Sequence, residues 1–416
     1  MQTSPEPKRI LEGVRVLDLT QFLAGPHATL LLAGLGADVV RIDNPTTGDA
    51  LSDSPIYYGS NGPSFEKRTE TDLGVAFLKR LRAKKSITID LKSSEGRSLF
   101  AELAECADVL VENYSVGVTE RLEIDWPRMK QVNPRLVYCS ITGYGSNGAD
   151  AKRRSYDVTT QAMSGLMSIT GQPGAPPTKA GSALADTISA VFAFSGVLAA
   201  LYHRERTGIG QFVDVSMVDG LFSLLFDEPL DCYDRLGLDY QQGNRVMRFS
   251  PFNTFPTQDG WIVIGCGTDS MWSSFASAIG RDDLVNHSEW SRMAWRVANN
   301  EQVETLVSSW SSGQVTHEAV EMLTSIGVVA SAVQNIEDLM RWPHLNERGM
   351  ISVVEHPLLG PLGGLKAAGF PLQFSETQSG YDSPAAITGT HNHEILQLWL
   401  GLSEARIEEL REHKTI

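Results

Sequence analysis

Asp186 is the carboxylate whose surroundings best suit it to chemistry. It follows the small-residue run Ala180-Gly181-Ser182-Ala183-Leu184-Ala185 and directly precedes an apolar stretch, Thr187 to Arg204, that stops at Thr207-Gly208 and reads as a long helix. Two readings fit that place. Aspartate is a good helix N-cap, worth about 1 kcal/mol. A carboxylate there is also held ionised by backbone N–H groups and the helix dipole, below its ordinary value of about 3.9. An ionised carboxylate is what attack on an activated acyl group requires. The local pattern leaves both open. Asp157, after Tyr156, has a plainer reading as a loop or cap residue.

The elements that must position such a group are legible in the first 145 residues. Short β-branched runs at Val14 to Leu19, Asp38 to Ile42, Ser86 to Ile89, Asp108 to Val111 and Leu136 to Ile141 alternate with helical patterns at His27 to Leu35, Ser94 to Cys106 and Pro127 to Val132. Alternation of this kind predicts an α/β fold with a parallel sheet. Ligands of such sheets bind beyond the carboxyl ends of the strands. Those ends carry Thr20-Gln21, Asp43-Asn44, Glu112-Asn113 and Thr142-Gly143-Tyr144-Gly145. A Pro/Gly-rich connection, Gly171 to Gly181, precedes the long helix, and Val213 to Met217 resumes a strand pattern. We expect a large domain over residues 1–220 and a smaller, tryptophan-rich one over 225–330. In the latter, Gln258-Asp259-Gly260 marks a hairpin. Residues 331–416 return to mixed strand and helix, ending in an amphipathic helix from Ser403 to Glu412.

Composition removes several function classes. A net charge of −15 opposes nucleic-acid binding, which needs basic surface. Local cations at 79–85 and 152–154 still suffice for a small phosphorylated ligand. No apolar run reaches the roughly 18 residues of a membrane span, and no apolar leader opens the chain, so we expect a cytoplasmic protein without a membrane partner. The four scattered cysteines form no CxxC pair and the nine histidines no HExxH; no metal site is expected. The first loop, Thr20-Gln21-Phe22-Leu23-Ala24-Gly25-Pro26, lacks GxGxxG, which removes the main support for a nicotinamide oxidoreductase.

An ordered set of segments carries a resemblance. It comprises Leu11-Glu12-Gly13-Val14-Arg15-Val16-Leu17-Asp18-Leu19-Thr20, Ala24-Gly25-Pro26, Leu35-Gly36-Ala37-Asp38-Val39-Val40-Arg41-Ile42, and Lys84-Lys85-Ser86-Ile87. Ala107-Asp108-Val109-Leu110-Val111-Glu112-Asn113-Tyr114, Ser140-Ile141-Thr142-Gly143-Tyr144-Gly145, Ser164-Gly165-Leu166-Met167, Ala185-Asp186 and Arg206-Thr207-Gly208-Ile209-Gly210-Gln211 follow in order. The chain resembles the class III CoA-transferases, the carnitine, bile-acid and formyl-CoA transferase-like family. Its texture is most similar to the succinyl-CoA:dicarboxylate branch.

The resemblance implies a Rossmann-like large domain completed by the C-terminal segment, a smaller α+β domain, and an interlocked homodimer. A heteromer with a related subunit is also known in the family. It implies coenzyme A as substrate rather than resident cofactor, with acyl-CoA and small carboxylic acids as partners. It places the family's nucleophilic aspartate on Asp186. Asn44, Lys84, Lys85, Lys92, Asn113, Arg121 and Tyr144 become candidate CoA contacts, and Gln21, Tyr156, Arg245 and Arg248 candidate substrate contacts.

Two departures narrow the reading. Leu23 stands where some relatives place a glutamine, and the glycine-rich flap of formyl-CoA transferases is reduced to Gly243-Asn244. Both disfavour a formyl-CoA/oxalate enzyme. The fold also serves α-methylacyl-CoA racemases, but their histidine falls on Tyr156, and a phenol with a pKa of about 10 is a poor base at neutral pH. A partner subunit of a heteromeric transferase is the third reading. The acceptor expected is a dicarboxylic or substituted succinic acid, its second carboxylate met by the guanidinium forks of Arg153, Arg154, Arg245 or Arg248.

Overall fold

The computed structural model describes residues 9–416. The chain divides into two compact units. The first holds the residues up to Leu166 together with Lys179–Glu228 and Pro343–Ile416, and the second holds Met167–Thr178 and Pro229–Trp342. The stretch Met167–Thr178, which the sequence reading left inside 1–220, groups with the second unit.

The first unit is built on six parallel strands, β1 (Arg15–Asp18), β2 (Asp38–Asp43), β3 (Lys85–Thr88), β4 (Val109–Glu112), β5 (Val137–Thr142) and β6 (Phe212–Ser216). Their spatial order is β3-β2-β1-β4-β5-β6, the doubly wound order of a Rossmann-type sheet. Every residue of β4 and β5 is buried. Burial on both faces is why these strands read as unbroken apolar runs and not as alternating ones.

Successive residues nonetheless feed different layers. Val16, Val39, Val109, Val111, Val137 and Cys139 pack with helices α1 (Ala24–Gly34) and α4 (Leu184–Thr207). Leu17, Val40, Ile87, Leu110 and Tyr138 pack on the other face, against Leu99, Phe100 and Leu103 of α2 (Ser94–Cys106). That second layer also takes Ile395, Leu396 and Trp399 of α6 (Asn392–Leu400) and Ile407 and Leu410 of α7 (Glu404–Glu412). The C-terminal segment therefore completes the large domain, as the resemblance implied. Each such buried aliphatic or aromatic side chain contributes about 1.5–3 kcal/mol. Ser403 caps α7 by accepting the Arg406 N–H.

Helix α4 is longer than the apolar pattern suggested, because three residues precede Thr187 in its first turn. It is long and apolar enough to cross a membrane by length and composition. In this fold Ala185, Ala190, Ala193, Phe194, Val197, Ala200 and Leu201 are spent on the core beside α1. Between α3 (Asp157–Met163) and α5 (Met217–Leu225) it spans the unit from the carboxyl ends of the strands to Gly208, whose left-handed φ of 76° ends it at no steric cost.

The second unit carries an antiparallel sheet of β7 (Phe252–Pro256), β8 (Trp261–Gly265) and β9 (Val329–Ala332). Its core gathers Ile262, Ile264, Trp272, Phe275, Val303, Val307 and Leu323.

Candidate active site

Strands β1 and β4 are neighbours, and the chain leaves them toward opposite edges of the sheet. A crevice opens at such a reversal. Here it is a cavity of about 570 Å³ lined by residues 21–24 after β1, residues 113–116 and Arg121 after β4, and Thr142 and Gly143 at the end of β5. Residues 151–157, Asp186 and Met217 complete the wall. A smaller cavity of about 240 Å³ shares Gln21 and Tyr114 with it and extends to Asn44 and Lys92. Two glycines let the loops close up. A Cβ on Gly25 would sit 2.3 Å from the Thr20 Cβ, and one on Gly143 2.3 Å from the Ser155 Cβ, distances no side chain tolerates.

Asp186 lies in the first turn of α4 and does not cap it; the cap residue is Ala183, whose side chain offers nothing. The capping is done by Asp157. Its Oδ1 accepts the N–H groups of Ala185 at 2.8 Å and of Asp186 itself at 3.2 Å. Its Oδ2 accepts Gln161 Nε2 at 2.7 Å, and Gln161 Oε1 accepts the Ala180 N–H at 2.9 Å. One carboxylate thus satisfies two of the helix's orphan donors and places a negative charge beside another.

The consequence reverses the expected electrostatics. Burial, followed by the Asp157 charge, pushes the Asp186 carboxyl up to about 6, with Arg80 opposing. It does not lie below 3.9 as the helix-end argument held, because burial and then the Asp157 charge outweigh what lowers it. Asp186 is still anionic at pH 7 and above, and it is a better nucleophile for being more basic and half-desolvated.

The cavity brings together Gln21, Asn113, Arg121, Tyr156, Asp157 and Asp186. Asn113 turns out to be a tie. Its Oδ1 accepts the Gln21 N–H and its Nδ2 donates to the Gln21 carbonyl, both at 2.8 Å. This joins the β1 and β4 loops across the crevice. Tyr156 is 71% exposed at the start of α3. Tyr144 lies just past β5, with the Arg153 guanidinium 5.8 Å from its ring centre. Asn44 Oδ1 accepts the N–H groups of Thr46 and Thr47, so it shapes its own turn. Lys92 lines the smaller cavity with an exposed side chain.

Tyr144 lines neither cavity, and nor do four further candidates. Lys84 is fully buried, its ammonium donating to Asp18 Oδ2 at 3.0 Å, the Pro26 carbonyl at 2.8 Å and Thr29 Oγ1 at 2.7 Å. All three of its protons are used, so none is left for a phosphate. Lys85 opens β3 at the amino end of the sheet and pairs with Asp38 and Glu394, away from the carboxyl ends where the cavity lies. Arg245 and Arg248 belong to the second unit. The Arg245 fork is already closed on Glu304, at 3.1 and 2.9 Å, and Arg248 lies over Phe249.

Other residues join the site. Lys152, Arg153 and Arg154 line the main cavity; clustering marks all three in the sequence, and Arg153 and Arg154 are also among the forks expected for a second carboxylate. Arg80 acts on Asp186 by its charge; the sequence marked it only as one of the cations at 79–85.

Against this geometry, residues 11–392 match the family model described as CoA-transferase family III. The chain belongs to that family. The succinyl-CoA:mesaconate CoA-transferase of Haloarcula hispanica is 35% identical over 96% of this chain and 98% of its own. The succinyl-CoA–D-citramalate CoA-transferase of Chloroflexus aurantiacus is 31% identical over the whole of both. A CaiB/BaiF family protein from Brucella suis superposes with a TM-score of 0.79 at 28% identity, covering 94% of this chain and all of that one.

As a CoA-transferase, the protein needs a site for a large polyanionic substrate on an acidic chain. The cavity supplies Arg121, Lys152, Arg153 and Arg154 together, a local positive field set into a molecule of net charge −15. Helix α1 begins at the same place and adds its positive end. Among the described residues no group of His, Cys, Asp and Glu side chains could hold a metal ion.

Proposed function

We propose that the transferase moves CoA from succinyl-CoA to a dicarboxylic acid through a thioester formed on Asp186. The Asp186 carboxylate attacks the thioester carbonyl, giving a mixed anhydride and free CoA thiolate. The thiolate then attacks the aspartyl carbonyl, releasing succinate and leaving aspartyl-CoA. The acceptor carboxylate repeats both steps in the opposite sense and regenerates the Asp186 carboxylate. The observation that carries the reading is a single cavity holding a basic, anionic aspartate and several cations.

Charge supports the substrate class. Lys152 and Arg154 line the cavity without a hydrogen-bond or ion-pair partner among the described residues, and a second carboxylate would supply one. The related enzymes' names pair succinyl-CoA with mesaconate and D-citramalate, both dicarboxylic acids. A charge-assisted hydrogen bond is worth about 1.5–3 kcal/mol, or roughly a 10- to 100-fold preference. We expect kcat/KM for succinyl-CoA to exceed that for acetyl-CoA by that factor, and Arg154→Gln to reduce the gap. Equal turnover of the two donors by wild-type enzyme would remove the dicarboxylate reading, whereas α-proton exchange without an acceptor acid would point to a racemase.

The assembly proposed is a homodimer. Helices α4 and α5, with the α5 C-cap Phe226, leave Val191, Phe192, Tyr202, Phe222, Leu224 and Phe226 exposed, large apolar side chains of the kind an interface would cover. Sedimentation at low micromolar concentration should find twice the 45.5 kDa chain mass; a stable 45.5 kDa species would overturn it.

A further inference from the structure

The first loop contains a strained residue. Phe22 adopts φ 65°, a left-handed conformation that is rare and costly for a bulky side chain. The residue is 52% exposed and lines the cavity with Asp186. Such strain persists only where neighbours over-determine it. Two contacts do so here. The Asn113 side chain clamps Gln21 from one side, and Arg80 Nη1 donates to the Phe22 carbonyl at 3.0 Å from the other. Arg80 ends the short helix Val75–Arg80, where a cation is favoured by the helix dipole.

We propose that Arg80 is a positioning residue for the transfer reaction, pinning the left-handed turn at Phe22 while presenting its guanidinium to the Asp186 carboxylate. The proposal rests on Asp186 being the nucleophile. Arg80 couples two tasks that are otherwise independent, the shape of the cavity wall and the charge of the attacking group. Its hydrogen bond fixes the backbone of residues 21–24, and its charge offsets the Asp157 carboxylate that crowds Asp186.

The groups around Asp186 are few. Asp157 faces it from α3, Arg80 from the short helix, and Arg121, Lys152, Arg153 and Arg154 share the cavity. His27 of α1, kept neutral by burial and by Lys84 and Arg80, adds no charge there. Without Arg80 the balance at Asp186 tips toward Asp157, and the carboxyl holds its proton to higher pH. Its acid form is inactive, so activity at neutral pH falls.

The test is the pH profile of kcat/KM with succinyl-CoA for wild type, Arg80→Met and Arg80→Lys, with intact-mass detection of the CoA adduct. Wild type should show an acid limb near 6. Arg80→Met, which keeps the apolar stem, should move that limb upward by about half a unit or more. Its kcat should fall about 10-fold or more at pH 7 with less change in KM, and the adduct should still form at pH 8–9. Arg80→Lys keeps the charge but not the fork; it should return the limb toward wild type while kcat stays low. Glu112, buried under the β4 loop and pushed to about 7, titrates nearby, so each profile is repeated with Glu112→Gln. An unmoved limb and unchanged kcat in Arg80→Met, with the wild-type adduct intact, would overturn the role of Arg80, even if thermal stability fell. Absence of the adduct in wild type would overturn the nucleophile itself and the proposal with it.

Discussion

Within seconds of mixing with succinyl-CoA, the intact mass of the protein is expected to rise by that of CoA less one water, and Asp186→Ala is expected to show no change. Hydroxylamine should remove the adduct, because it cleaves thioesters and not amides. Turnover of Asp186→Ala and Asp186→Asn should fall by at least about 10⁴-fold, the scale on which removal of a covalent nucleophile acts. A substituted protein that retained a tenth of the activity would demote Asp186 to a wall residue.

Asp186→Asn carries a second expected effect, on stability. The folded-state carboxyl near 6 lies above its unfolded value of 3.8, so the folded chain binds the proton more tightly between those pH values. The group's contribution to stability is complete below 3.8 and is lost as the pH rises through 6. Asparagine does not ionise. The variant should therefore melt higher than wild type at pH 8, with the advantage vanishing by pH 4. That pairing of lost activity with gained stability is the usual mark of a strained functional group.

Lys84→Met is expected to cost about 3–5 kcal/mol of stability, the penalty for leaving one half of a buried ion pair alone. Both members are fully buried. Asp18 keeps its charge because Thr20, through its N–H and its hydroxyl, Thr29 and Lys84 all donate to it; these contacts together outweigh burial and hold its carboxyl below the ordinary range. The pair's contribution should accordingly be lost as the pH falls through that depressed value. Because Lys84 also holds the Pro26 carbonyl, it ties the end of β1 to the first turn of α1, the two ends of the loop that carries residues 21–24. Urea denaturation measures the loss. A variant of unchanged stability with only a raised KM for CoA would restore the CoA-contact role that the resemblance implied.

Much of the architecture was legible in the sequence. The six strands of the parallel sheet fall where β-branched runs marked them, the hairpin of β7 and β8 flanks Gln258-Asp259-Gly260, and Ser403 caps the last helix. These are local matters: turn chemistry, capping and side-chain periodicity act over a few residues. The ordered motifs carried the family and, with it, Asp186 as the residue of interest.

What the sequence alone could not determine was the environment of each charge. Lys84 and Lys85 are adjacent and chemically alike, yet one is sealed against Asp18 and the other pairs with Asp38 and Glu394 at the amino end of the sheet. One step along an extended chain reverses the side-chain direction, and only packing decides which direction is the interior. The same holds at Asp186. Its position in the chain suggested a lowered pKa, but burial and the charge of Asp157, 29 residues earlier, raise it, while Arg80 opposes from a third element. Motif and periodicity determined which residues form the strands and which aspartate to examine. Tertiary structure decided which charges meet, because Coulomb and desolvation terms depend on distance and burial, and neither is a local property of the chain.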